Sequence, residues 1–189
     1  MGVTNMANGP RYKVKMRRRR EGATNYNRRL ALLKSGIPRL VVRISNKYTS
    51  AQIINLGPIG DHTILSVSSK DLSAYGWTAS TTNIPAAYLT GFLLGKKALS
   101  TGIKEAVLDI GLHSGTKGSK VFALHKGAID AGIESPHGEV AFGSWERIRG
   151  EHISEFAEET KNKLSNGFDL TTLPNHFDEV LAKLEEASL

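Results

Sequence analysis

The sequence predicts an α/β fold: a mixed sheet made of an antiparallel three-strand meander plus a parallel strand, helices on one face, a basic N-terminal arm and a helical C-terminal extension. Three observations carry this reading. Between residues 40 and 68, three short apolar or alternating runs are separated by turn residues. A long helical pattern then leads into the nearly continuous apolar run Glu105 to Ile110, which reads as a buried strand reached by a right-handed crossover. Charge is divided unevenly: residues 1 to 47 hold 13 Lys and Arg against the single acid Glu21, a net of +12, whereas the other 142 residues net −5 in a chain of 189.

Taken in order, the arm runs from Arg11 through Lys13 and Lys15 to the block Arg17, Arg18, Arg19 and Arg20, where like charges repel and little is available to bury. It is expected to lack order when free. Thr24 or Asn25 caps a short helix in which Tyr26, Leu30 and Leu33 recur at helical spacing, with Arg28, Arg29 and Lys34 on other faces. Three strands follow, Leu40 to Ser45, Tyr48 to Leu56 and Thr63 to Ser68, joined by Asn46-Lys47 and by the segment Gly57 to Asp61. Asn83 and Pro85 open a helix that runs to about Ser100, and its Gly91 and Gly95 predict close packing on the sheet. A second helix spans Ser119 to Ala131, with Val121, Leu124, Ala128 and Ala131 on one face and Gly132 as its stop. From Ser144 onward 10 acids face 5 bases, over helical patterns at Ile153 to Leu164 and at Phe177, Val180, Leu181 and Leu184. The chain therefore divides into a basic arm at 1–23, an α/β core at 24–143 and an acidic helical extension at 144–189.

The hairpin register follows from its turn. With Asn46-Lys47 as a two-residue turn, Ser45 opposes Tyr48, Arg43 opposes Ser50 and Val41 opposes Gln52, all on one face. The other face carries Leu40, Val42 and Ile44 opposite Ile53, Ala51 and Thr49, with Leu65 and Val67 completing the core. One side of the sheet is thus polar, and Ser66 and Ser68 extend it. Beside a strongly basic arm, such a face reads as a docking platform for RNA, since each phosphate neutralised by Lys or Arg releases counterions.

Several chemistries are excluded or disfavoured. There is no cysteine, which removes disulfides, thiolate metal sites and a cysteine nucleophile. The longest uncharged stretch, Leu72 to Gly95, contains Asn83, Pro85 and many Ser and Thr, which argues against a membrane span, and the start of the chain lacks the apolar core of a secretory signal. A cytoplasmic location follows. The glycine-rich segment Gly111 to Lys120 fits no Gly-x-x-x-x-Gly-Lys-Ser/Thr frame, although Lys117 and Lys120 beside free backbone N–H groups suit one phosphate of a polymer. The six histidines form no close ligand pair, so neither metal nor cofactor is expected. Asp61, Asp71, Glu105 and Asp109 are the one set that a magnesium-dependent nuclease of similar architecture would draw on; turn and strand-end roles explain them as well, and no enzyme is expected.

Several runs carry a family resemblance: Arg39 to Lys47, Asn83 to Gly91, Ala106 to Leu112, Gly118 to Ala123, Gly127 to Gly132 and Gly150 to Ile153. Together with the basic start and Thr24-Asn25-Tyr26, they resemble the large-subunit ribosomal protein L-eighteen family in its archaeal form, over most of residues 11 to 155. The resemblance implies a non-enzymatic protein that binds 5S rRNA and seats it against 23S rRNA in the central protuberance, among neighbouring large-subunit proteins, with no membrane or small-molecule partner. It further implies that the Ser45-Asn46-Lys47 hairpin and its face, with Tyr48, Ser50 and Gln52, meet the 5S RNA while the arm reaches between RNA elements. A free RNA chaperone is the other alternative to the nuclease.

Overall fold

A computed structural model describes residues 9–138, 141–160 and 167–187. Its sheet has the order β3-β2-β1-β4, formed by β1 (Arg39–Ile44), β2 (Thr49–Leu56), β3 (Asp61–Ser68) and β4 (Val107–Asp109). β1 pairs antiparallel with β2, β2 antiparallel with β3, and β1 parallel with β4. The register is the one the turn dictates: Val41 opposes Gln52, Arg43 opposes Ser50 and Val42 opposes Ala51. Ser45 donates its backbone N–H to the Tyr48 carbonyl at 2.8 Å, and its Oγ accepts from Tyr48 N at 2.9 Å, which closes the hairpin. A bulge between Ile53 and Ile54 shifts the β2–β3 pairing, so that Ile54 faces Thr63. β4 is shorter than the apolar run around it; Glu105 instead bridges Glu134, which ties the entry of β4 to the segment after the second core helix.

Before the sheet come α1 (Arg17–Arg20) and α2 (Tyr26–Leu33); α3 (Ile84–Ser100), α4 (Lys120–Asp130), α5 (Trp145–Arg149), α6 (Glu151–Thr160) and α7 (Leu173–Glu186) complete the α-helices of the described residues, beside short 3-10 helices at Ser69–Tyr75 and Leu170–Thr172. Asn83 Oδ1 accepts from Ala86 N at 2.9 Å, and Pro85 occupies the first turn, so the start of α3 is where the sequence signals it. α3 is buried along most of its length because the sheet, α4 and the C-terminal helices all pack on it. The core joins Leu40, Val42, Ala51, Ile53 and Val67 of the sheet to Leu89, Leu93 and Leu94 of α3, Leu124 of α4 and Phe177, Val180 and Leu184 of α7.

Two expectations need correction. Gly91 and Gly95 face α4, not the sheet: a Cβ on Gly91 would lie 1.9 Å from the Leu124 carbonyl oxygen, and one on Gly95 2.5 Å from Ala131 Cβ. The sheet is already covered by the larger α3 side chains, and it is the second helix that approaches backbone to backbone. The arm, expected to lack order, contains one helical turn at Arg17–Arg20 with no buried residue, held by an Arg17–Glu21 ion pair at 3.8 Å and by Arg18 Nε donating to Thr24 Oγ1 at 2.8 Å. The first eight residues of the arm, and the end of the helical pattern that the sequence carries to Leu164, lie outside the described residues.

One buried histidine makes this core sensitive to acid. His125 on α4 is 2% exposed, with Nε2 2.7 Å from Ser135 Oγ and its ring edge-on to His137. Burial, and secondarily the charge of His137, lower its pKa from 6.5 to about 4. The unfolded chain takes up this proton near pH 6.5 and the folded chain near pH 4, so the stabilisation is complete above pH 6.5 and is lost as pH falls towards 4. The whole effect is on the order of 3 kcal/mol. Burial lowers His152 and His176 as well, in the same direction. Thermal melts are therefore expected to shift down across this window, and His125→Gln to flatten the fall in part; a variant with the unaltered profile would rule out His125 as its source.

A candidate nucleic-acid interface

β1, β2 and β3 send alternate residues to the face opposite α3 and α4. Arg43, Ser45, Tyr48 and Ser66 are exposed there, while Ser50, Gln52 and Ser68 are half-buried. Gln52 Nε2 donates to Ser66 Oγ at 3.4 Å, and Ser50 Oγ to the Arg43 carbonyl at 3.3 Å, so the hydroxyls and amide form a laterally connected surface. The turn residues Asn46 and Lys47 project from one end, fixed by Thr81 Oγ1 donating to the Lys47 carbonyl at 2.7 Å. Because β4 runs parallel to β1, the loop after it lies at this same end, where His113 Nε2 accepts from Ile44 N at 3.4 Å. Lys117 in this loop is exposed, and Lys120 at the start of α4 is half-buried. Arg11, Lys13, Lys15, Arg17, Arg18, Arg19 and Arg20 are all exposed, as is Arg28.

The sequence does not announce how the other end of this face is built. α2 lies against it, and none of its residues is buried; Tyr26 and Leu33 are half-buried and Leu30 is 57% exposed, so the apolar spacing does not mark a core-facing stripe. A charge ladder holds the helix instead. Arg29 Nη2 donates to Asp61 Oδ1 at 2.8 Å, Arg39 lies between Asp61 and Asp109 with 2.8 Å contacts to each, and Arg43 closes the series. Arg39 is 3% exposed and Asp109 6%. Arg43 Nη1 donates to the Asp109 carbonyl at 2.9 Å, and its Nη2 lies 3.4 Å from Asp109 Oδ1. Gly111, at φ +61°, permits this: a Cβ there would lie 2.8 Å from the guanidinium carbon.

The ladder changes the reading of two arginines and leaves the carboxylates in the turn and strand-end roles expected of them. Arg43 and Arg29 are not free surface charges, since each is held by a carboxylate, although 47% of the Arg43 side chain remains exposed. Asp61 and Asp109 are compensated by arginines, Asp71 accepts from Ser68 N at 2.8 Å in a capping box, and Glu105 sits at the bridge to Glu134. Among the described residues no three acidic or histidine side chains converge as metal ligands, and no helix is long and apolar enough to cross a membrane. Arg39 is the residue that sequence reasoning missed. Its place on the polar face follows from the same alternation as Arg43, but its partners come from β3 and β4.

These features define a mixed α/β protein with a polar sheet face bordered by basic side chains. The family of ribosomal large subunit proteins 60S L5 and 50S L18 matches residues 10–104 and 101–138. A large ribosomal subunit protein uL18 of Haloferax volcanii is 58% identical over 182 residues, 96% of this chain and 99% of its own length. The uL18 proteins of Halobacterium salinarum and Haloarcula marismortui are 58% and 55% identical, over 96% and 97% of this chain and 100% and 99% of their own. The chain belongs to this family.

Proposed function

We propose that this protein is a structural, non-enzymatic constituent of the large ribosomal subunit in the cytoplasm, and that it binds 5S rRNA and anchors it to 23S rRNA in the central protuberance. The observation that carries the reading is the polar sheet face, with Arg43, Ser45, Ser50, Gln52 and Ser66 in one register beside the exposed bases of residues 11–20. Phosphates meet the bases, and the hydroxyl and amide groups suit base edges and ribose. In this reading residues 1–23 act as the arm and 24–143 as the 5S-binding core. Residues 144–189 carry an acidic excess that does not suit phosphate, and their Phe177, Val180 and Leu184 pack into the core instead. The nuclease alternative loses its footing because Asp61 and Asp109 are already engaged by arginines.

Titration of 5S rRNA over a range of salt tests this. Each phosphate contact contributes roughly 0.7 to 0.9 to the slope of log affinity against log salt, so the full chain is expected to give a steep line. Deleting residues 1–22 is expected to flatten it while leaving a cooperative thermal transition, because the described part of this segment buries nothing. Equal slopes with and without the segment would remove the arm from the interface. Fractionation of cell extracts separates the free-chaperone alternative, which predicts protein away from large subunits.

A further inference from the structure

α6 turns one face inward and leaves the other without a partner. Ser154 and Ala157 are buried where the helix meets α7 and the 3-10 helix Leu170–Thr172, whereas Glu155, Phe156 and Glu159 are exposed. The Phe156 ring is 58% exposed. Glu155, Glu158 and Glu159 make no ion pair among the described residues, and α6 carries no Lys or Arg to answer them. Glu155 and Glu159 also stand four residues apart on one side of the helix, where like charges repel. An uncovered aromatic ring beside unpaired carboxylates suits a cationic side chain, which lays its charge over the ring and against the acids.

One segment of the chain has the complementary pattern. Between Arg11 and Arg17 bases alternate with Tyr12, Val14 and Met16, and every one of these side chains is exposed. Residues 12–16 adopt neither helix nor strand; Arg11, Lys13 and Lys15 find no ion pair among the described residues, and Arg17 reaches only Glu21. Extended, the segment spans about 20 Å, against about 15 Å for α6, so successive residues offer a cation to the carboxylates and an apolar side chain to the ring along the whole helix. Within one copy the two do not meet. α1 and α2 border the polar face of the sheet, whereas α6 lies with α7 on the side covered by α3.

We infer that in the RNA-free protein residues 11–17 of one copy dock on the outward face of α6 of a second copy. The contact joins two different surfaces, so it repeats head to tail and builds open chains instead of closing a dimer. A docked arm is withheld from RNA, and RNA that takes the arm releases the second copy. Release by RNA rests on the RNA-binding reading of the arm above; the docking itself does not.

Sedimentation velocity of the full, RNA-free chain at low salt tests this. Species larger than the monomer are expected, and they are expected to dissolve as salt rises, because exposed ion pairs are screened. Glu155→Lys with Glu159→Lys, and separately Arg11→Ala with Lys13→Ala and Lys15→Ala, are each expected to leave monomers. Mixing these two full-length variants is expected to restore one contact, the arm of the first on α6 of the second, and to stop at a complex of two chains. Phe156→Ala is expected to weaken association about 2-fold to 5-fold, the range of one exposed cation–π contact. All of these positions are exposed, so melting curves close to wild type are expected. A full chain that stays monomeric at low salt, variants that associate like the wild type, or a mixture that forms no complex would overturn the docking. Binding of a synthetic oligo-arginine peptide to α6 of a chain that is itself monomeric would overturn it too, and would give the face to a basic segment of another protein. Addition of 5S rRNA is expected to disperse the chains; chains that persist with the RNA bound would uphold the docking and remove the arm from the RNA interface.

Discussion

Gly127→Ala is expected to destabilise the protein by about 3 kcal/mol or more, against the sign that helix propensity alone would give. Gly127 sits inside α4, where alanine is favoured over glycine by about 0.8–1.0 kcal/mol. Here an added Cβ would lie 2.2 Å from the Tyr88 carbonyl oxygen and 3.0 Å from Phe92 N, both backbone atoms of α3. No rotamer change relieves a clash between a Cβ and a peptide group, so the two helices have to separate. Both are also held from other sides, α3 by the sheet and α7 and α4 by β1, and the Tyr88 hydroxyl of α3 donates to Asp130 of α4 at 2.9 Å, which resists their separation. Gly91→Ala meets the reciprocal contact at Leu124 and is expected to behave alike. Gly115→Ala is the control: its Cβ would have only Phe122 at 3.8 Å, so its effect is expected within about 0.5 kcal/mol. Denaturant unfolding of the three variants checks this, and a Gly127→Ala protein as stable as the control would mean that α3 and α4 are not in backbone contact.

The same glycines show where sequence reasoning stops. That Gly91 and Gly95 serve close packing is legible from their cost to α3; which neighbour they admit is not, because both the sheet and α4 offer apolar surface and only the three-dimensional arrangement selects one. The hairpin was legible to the residue because a two-residue turn and a period of two leave a single register that buries Leu40, Val42 and Ile53. The Asn83 cap and the α7 stripe of Phe177, Val180 and Leu184 are equally local signals. α2 misled for the opposite reason. Tyr26, Leu30 and Leu33 have helical spacing, yet the helix is held through Arg29 and Asp61, 32 residues apart, and that separation has no periodic signature. The candidate interface is therefore half legible: its hydroxyl and amide face follows from strand alternation, whereas the charge ladder at α2 depends on a docking that no local pattern encodes.

Asp109→Asn is expected to cost about 3–5 kcal/mol, the penalty for leaving a buried charge short of its partner. Asp109 accepts from Arg39 Nη1 at 2.8 Å and from Gly111 N at 2.9 Å, with Arg43 Nη2 at 3.4 Å. An asparagine keeps one oxygen for these donors but sets an NH₂ group among them, and Arg39, almost wholly out of water, is left with Asp61, which Arg29 already shares. The nuclease reading makes a different forecast: a carboxylate that holds magnesium gives the wild type a melting temperature that rises with magnesium at fixed ionic strength, and the asparagine variant loses that response. With three arginines around two carboxylates, no such rise is expected in either protein. A double-mutant cycle separates the pair from its surroundings. Arg39→Met together with Asp109→Asn removes both charges and leaves Asp61 with Arg29, so part of the loss is expected to be regained, with a coupling of at least about 1 kcal/mol between the two positions. Purely additive losses, or stabilisation of the wild type by magnesium that Asp109→Asn abolishes, would overturn the assignment of Asp109 to the charge ladder.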